Sequence, residues 1–281
     1  MRTLKYLSLV ILAVLVSSCE KNEIKYDCRP AGDAAEFQLH YMVPVVATAA
    51  NYITRVDVNS QLISNSTNVL TTYNGIPGGA VGRFYTVDPG VTNFKLYLKG
   101  KINVDSLVYD QNATLTSGKQ NVFVHSFTQP PVVLENGYPF ESNTTEVTDS
   151  TAWVKFYNFL YETSGVPTTL RIQYQYLDSR TNLPVNIGSP VYFGETTGWQ
   201  PVTVVKTDKV SAGSRTVYFN MRVIDASGTD LGKLKTMNTS GSFVDYSDYW
   251  TLYIGRRYHH IFAGFRAVKS PNSSVKIFTA L

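Results

Sequence analysis

Hydrophobic and polar residues alternate with a period of two along most of the chain. Phe37, Leu39, Tyr41 and Val43 share one face of a candidate strand. Phe94, Leu96 and Leu98 share a face of another, with Lys95, Tyr97 and Lys99 turned away. Leu170, Ile172, Tyr174 and Tyr176 alternate with Arg171, Gln173 and Gln175, and Val217, Phe219, Met221 and Val223 alternate with Tyr218, Asn220 and Arg222. Successive side chains of a strand point to opposite sides, so the pattern predicts antiparallel sheets with one face packed on a second sheet and one in water. Asp88-Pro89-Gly90, Thr116-Ser117-Gly118, Ser211-Ala212-Gly213 and Ala226-Ser227-Gly228 supply the turns between such runs. No segment combines a 3.6-residue apolar period with helix caps. The predicted fold class is all-β.

The pattern also repeats. Phe37-Gln38-Leu39-His40-Tyr41 matches Trp153-Val154-Lys155-Phe156-Tyr157. Val87-Asp88-Pro89-Gly90, followed by Asn93-Phe94-Lys95-Leu96-Tyr97, parallels Val210-Ser211-Ala212-Gly213, followed by Thr216-Val217-Tyr218-Phe219. Thr114–Gly118 and Val122–Phe127 line up with Thr251–Gly255 and His260–Phe265. Blocks in preserved order predict two tandem antiparallel β-sandwiches, over residues 34–129 and 150–281. Between them, residues 130–149 have a linker composition, with Pro130-Pro131, Asn136-Gly137 and Pro139, and Val132-Val133-Leu134 is a candidate short edge strand.

The amino terminus reads differently. Arg2 and Lys5 flank the start of an apolar run, Tyr6 to Val16, about half the ~20 residues that a spanning helix needs. An export signal over residues 1–18 is the better reading. Leu15-Val16-Ser17-Ser18-Cys19 resembles a bacterial lipobox, in which the cysteine sulfur takes a diacylglycerol after which cleavage leaves it as the first residue. An ordinary secretory signal, with Val16 and Ser18 ahead of the cut and Cys19 incidental, is the alternative. Two or more acyl chains, at about 0.8 kcal/mol per buried methylene, anchor a protein where a single chain does not. Residues 19–33 form a polar tether with Glu20, Lys21, Glu23, Lys25 and Asp27. Acidic residues close behind the cysteine resemble the surface-export signal of Bacteroidetes lipoproteins. The expected location is the outer membrane, lipid-anchored, at the cell surface or the periplasmic face. Cys28 is then the one unmodified cysteine, which excludes a disulfide framework.

Several short features carry a family resemblance. These are an opening strand, an aromatic-Gly step (Tyr73-Asn74-Gly75; Phe193-Gly194), a strand into a Pro-Gly or Ala-Gly turn, and a Gly-centred hairpin into a last apolar strand. In this order they resemble the domain-of-unknown-function 4397 group over most of residues 35–268. The resemblance implies immunoglobulin-like sandwiches in tandem in a bacterial surface lipoprotein, and it brings no catalytic residues. The chain departs from the group in lacking an Asn-Ala-Ser-Pro-like segment after the first strand.

Composition narrows function by exclusion. Nineteen Tyr and fourteen Phe favour strands. The chain holds 25 Lys and Arg against 21 Asp and Glu; losing Arg2 and Lys5 with the signal leaves a net charge of +2, too small to predict a nucleic-acid partner. His40, His125, His259 and His260 lack convergent metal-ligand spacing, and no nucleophile elbow, phosphate loop or dinucleotide fingerprint occurs. No catalytic residue, metal or cofactor is predicted. The candidate ligand-binding residues are Tyr246, Tyr249, Trp250, Tyr253 and Arg256, because aromatic rings stack on sugars while neighbouring charged groups bond hydroxyls. In the competing reading, alternate members of this run face the core. The expectation is a non-catalytic envelope lipoprotein, held to the membrane by its acyl chains and binding glycan or a surface protein. An adhesin or fimbria-like subunit is the alternative, and a glycoside hydrolase using Asp245 and Asp248 a more remote one.

Overall fold

The computed structural model describes residues 33–78, 83–99, 105–137, 151–204 and 213–280. The export signal, Cys19, the tether through residue 32 with Cys28, and residues 138–149 of the expected linker lie outside the described residues. Among the described residues no helix is long and apolar enough to cross a membrane.

The alternating runs form strands. The first lobe contains β1 (Ala35–Tyr41), β2 (Ile53–Val58), β3 (Gln61–Ser64), β4 (Asn74–Ile76), β5 (Tyr85–Val87), β6 (Gly90–Lys99), β7 (Asp105–Leu115), β8 (Gly118–Val124) and β9 (Val132–Glu135). The second contains β10 (Thr151–Thr163), β11 (Val166–Pro167), β12 (Arg171–Leu177), β13 (Pro184–Asn186), β14 (Thr196–Thr203), β15 (Ser214–Ile224) and β16 (Asp230–Lys233). It continues through β17 (Lys235–Met237), β18 (Phe243–Asp245), β19 (Ser247–Tyr253), β20 (Arg257–Phe265) and β21 (Ser274–Ala280). The opening stretch of the expected linker is therefore a strand, β9, paired with β8.

In the first lobe a sheet ordered β4-β1-β8-β9, with β5 also on β1, faces one ordered β3-β2-β6-β7. Phe37, Leu39 and Tyr41 of β1 meet Val56 of β2, Phe94 and Leu96 of β6 and Tyr109 of β7 in one core. In the second lobe β11-β10-β20-β21, with β14 on β10, faces β13-β12-β15-β16, with β19 on β15. Val154 and Phe156 meet Ile172, Tyr174, Phe219 and Met221 in a second core. Each core is the pair of inner apolar faces that the alternation supplies, and the protein is an all-β sandwich structure.

The two lobes share one topology. β1 and β10 each run parallel to the next-to-last strand of their lobe, β8 and β20, and antiparallel to their other neighbours. Pairing corrects the register of the sequence repeat by one residue. Leu39 lies opposite Val122, and Phe156 lies opposite His260. Because the closing blocks match Val122 with His260, Leu39 corresponds to Phe156, not to Lys155. The sequence match laid the core-facing Phe37, Leu39 and Tyr41 over residues of the opposite face. A one-residue slip reverses every side chain, and β10 hid the slip because both of its faces are buried.

That double burial comes from a seam between the lobes. The polar face expected of β1 is not in water: Gln38 is 2% and His40 0% exposed. Met42 and Phe123 of the first lobe pack with Tyr157, Phe159, Ile261 and Phe278 of the second. The Phe123 ring lies 5.0 Å from Tyr157 and 4.8 Å from Phe159, and stacks on His40 at 4.8 Å. A relay of hydrogen bonds links several of the buried polar groups here. His40 Nε2 donates to Asn121 Oδ1 at 3.0 Å, and Asn121 Nδ2 donates to Asn136 Oδ1 at 2.9 Å. The Asn136 carbonyl then accepts from Trp199 Nε1 at 2.7 Å and from Lys155 Nζ at 3.3 Å, which ties the end of β9 to the second lobe. Gly75 of β4 fits against this layer for want of a side chain, since a Cβ would lie 2.9 Å from His40 Nδ1. The described residues form one compact unit.

Candidate functional site

The aromatic run ahead of the last hairpin of the second lobe is divided by the pleat of β19. Asp248, Trp250 and Leu252 turn inward, while Tyr249, Thr251 and Tyr253 turn outward. Tyr249 is 64% exposed, and directly opposite it on β15 is Tyr218, 59% exposed. Their ring centroids lie 6.0 Å apart with the planes at 51°. Along the same outer face Thr216 pairs with Thr251 and Asn220 with Ser247, and Gln175 of β12 lies between Asn220 and Asn186. Gln175 Nε2 donates to Asn186 Oδ1 at 2.7 Å, so the amides form an ordered row. A hollow of about 540 Å³ adjoins Tyr218 and is lined also by Leu177, Ser179, Asn182, Thr216 and Thr251. Two exposed rings set among hydroxyls and amides present apolar surface and hydrogen-bonding groups together.

Tyr253 and Arg256 extend this side of the lobe. The Arg256 guanidinium sits 4.2 Å from the Tyr253 ring centroid, a cation–π contact that holds both side chains in place. Of the residues singled out from sequence, Tyr249, Tyr253 and Arg256 are thus brought to the outside. The other two are not. Tyr246 is a core residue, 8% exposed, with its ring edge-on to Phe262 at 4.9 Å. Its hydroxyl donates to Asp248 Oδ2 at 3.0 Å and accepts from Val275 N at 3.0 Å. Burial and the Asp248 charge push its ionisation well up, so it remains a neutral phenol. Trp250 is half-buried against the second core, on the face opposite Tyr249, with its ring 6.4 Å from His260. Adjacent residues of a strand cannot share a face, so Tyr249 and Trp250 cannot line one site.

Sequence reasoning missed Tyr218. The available signal was an aromatic ring on the polar side of the alternation between Val217 and Phe219, where a water-facing position holds a ring with nothing to pack against.

The remaining chemistry-bearing groups have separate partners. Asp245 is exposed and faces Lys233 Nζ at 3.6 Å, whereas Asp248 accepts from Tyr246 and, at 2.7 Å, from Tyr249 N. All four histidines are buried, each on a neutral partner. His40 bonds Asn121, His125 bonds Tyr161 at 2.8 Å, His259 bonds Tyr157 at 2.9 Å and His260 bonds Tyr174 at 2.9 Å. Burial lowers His40 and His125 to about 4 and His260 to about 3, and holds His259 far below its ordinary value with help from the Lys155 charge. Lys155, also buried, falls to about 8. No group of His, Cys, Asp and Glu among the described residues is arranged to hold a metal ion.

No family model and no curated protein matches this chain.

Proposed function

We propose that this chain is a lipid-anchored envelope protein of the outer membrane that binds glycans, without catalysis, on the outer tyrosine face of its second lobe. The observation that carries the binding half is the cross-strand pair Tyr218–Tyr249, more than half exposed and flanked by Thr216, Thr251, Asn220 and Ser247. Rings at directly opposed positions present a paired apolar surface to solvent, and sugar C–H faces suit it. The anchor half is supported by the charged start, the apolar run and the lipobox-like Leu15–Cys19. Membership of the domain-of-unknown-function 4397 group belongs to the same proposal, on the resemblance of the repeated blocks.

The full chain is to be tested on a glycan array, with Tyr218→Ala/Tyr249→Ala beside it. The double variant is expected to fold, losing no more than about 1 kcal/mol of stability with the cross-strand pair, and to bind about tenfold or more weakly, ~1.4 kcal/mol or more. Equal binding by the two proteins, or none by either, removes the binding half. Metabolic labelling with a palmitate analogue tests the anchor. Label and membrane association disappear in Cys19→Ala if the sulfur is acylated, and an unlabelled wild-type chain rejects the anchor.

A further inference from the structure

On the other side of β19 lies a second hollow that the tyrosine face does not use. β19 and β21 are edge strands of the two facing sheets of the second lobe, and a cleft of about 470 Å³ opens where they part. Trp250 and Asp248 come from β19, Lys276 and Phe278 from β21, and Tyr73 with Asn74 close it from the first lobe. The cleft is therefore built by both lobes and exists only because they are packed together. Its volume lies in the lower half of the range for small-ligand sites.

The walls divide by chemistry. Trp250, Tyr73 and Phe278 supply ring surface, and the Lys276 ammonium stands 4.9 Å from the Tyr73 ring centroid. Lys276 and Asp248 bring one charge of each sign, and among the described residues no ion pair joins either of them to anything. Lys276 is partly desolvated, which lowers its proton affinity, while the Asp248 charge acts in the opposite sense, so the two groups feel one another across the cleft. The Asp248 oxygens each accept one protein hydrogen bond and retain lone pairs for a second. A ligand carrying one net charge gains from one of this pair and is repelled by the other. A neutral hydroxyl serves both, because it accepts from an ammonium and donates to a carboxylate at once.

We propose that this cleft is a second binding site, for a neutral saccharide unit of one or two rings, with Asp248 and Lys276 sharing its hydroxyls and Trp250 and Tyr73 bounding its apolar face. It shares a ligand class with the tyrosine face but no residue, and the two lie on opposite sides of one strand.

Calorimetric titration of the full chain carrying Tyr218→Ala/Tyr249→Ala isolates the cleft. The probes are methyl glycosides of glucose, galactose and mannose, and N-acetylglucosamine, with glucuronate and glucosamine as charged counterparts. At least one neutral probe is expected to bind saturably at millimolar concentration or below, more tightly than its charged counterpart. Lys276→Met and Asp248→Asn are each expected to weaken that binding tenfold or more. Lys276 makes no hydrogen bond that Met would break among the described residues, so it decides the matter should Asp248→Asn unfold. Absence of saturable binding by every neutral probe overturns the proposal, as does binding indifferent to Lys276→Met or tighter binding of a charged probe. Glycan binding present in the wild type and lost in the tyrosine variant leaves the outer face standing and removes the cleft.

Discussion

The four histidines are the residues whose chemistry is most altered by folding. Each is a neutral ring in the native state, hydrogen-bonded to an amide or a phenol and shut away from water. In the unfolded chain the same rings titrate near 6.5. Below that pH the unfolded state takes up protons that the folded state refuses until about pH 4 for His40 and His125. Their contribution to stability is therefore complete above pH 6.5 and is lost as the pH falls from there toward 4. Each histidine removes up to about 1.4 kcal/mol per pH unit across this window. Scanning calorimetry is expected to show a thermal midpoint that drops steeply between pH 7 and pH 5. A level profile across that interval contradicts the neutral assignment.

Among the elements, the hairpin of β20 and β21 depends on one glycine. Gly264 holds φ at +114°, a value L side chains rarely adopt, and a Cβ there would lie 2.6 Å from the Asn272 carbonyl oxygen and 2.8 Å from Ser273 Cα. Both obstacles are backbone, so neither can swing aside. Gly264→Ala is expected to cost roughly 2–4 kcal/mol, from backbone strain together with overpacking. Urea unfolding of the variant measures it, and a midpoint equal to wild type would mean that the strands separate without penalty. β21 contributes Lys276 and Phe278 to the cleft, so the same substitution is also expected to disturb that site.

For the whole molecule the decisive feature is the seam. Phe123 is fully buried among His40, Tyr157 and Phe159, rings drawn from both lobes. Removing it leaves a cavity that neither lobe can close alone, and Phe123→Ala is expected to cost about 3–5 kcal/mol. Because the seam also carries the relay from His40 through Asn121 and Asn136 to Trp199 and Lys155, the lobes are expected to unfold together. One calorimetric transition in the wild type, shifted down as a whole in Phe123→Ala, is the outcome of a shared core. Two separable transitions, with only one of them moved, would show instead that each lobe stands by itself.

The strands and their inward faces could be read from the chain, because side-chain direction in a strand is local and alternates whatever the strand packs against. Phe94, Leu96, Ile172, Tyr174, Val217 and Phe219 face their cores as their spacing required. Contacts between strands far apart in the chain obey no such local rule. The register that sets Tyr218 beside Tyr249 and the burial of His40 and Lys155 beneath a second lobe depend on surfaces that meet only after folding. So does the assignment of Trp250 and Tyr73 to one cleft. Alternation tells which side of a strand a residue occupies. Only tertiary packing decides whether that side meets water, a core or another lobe.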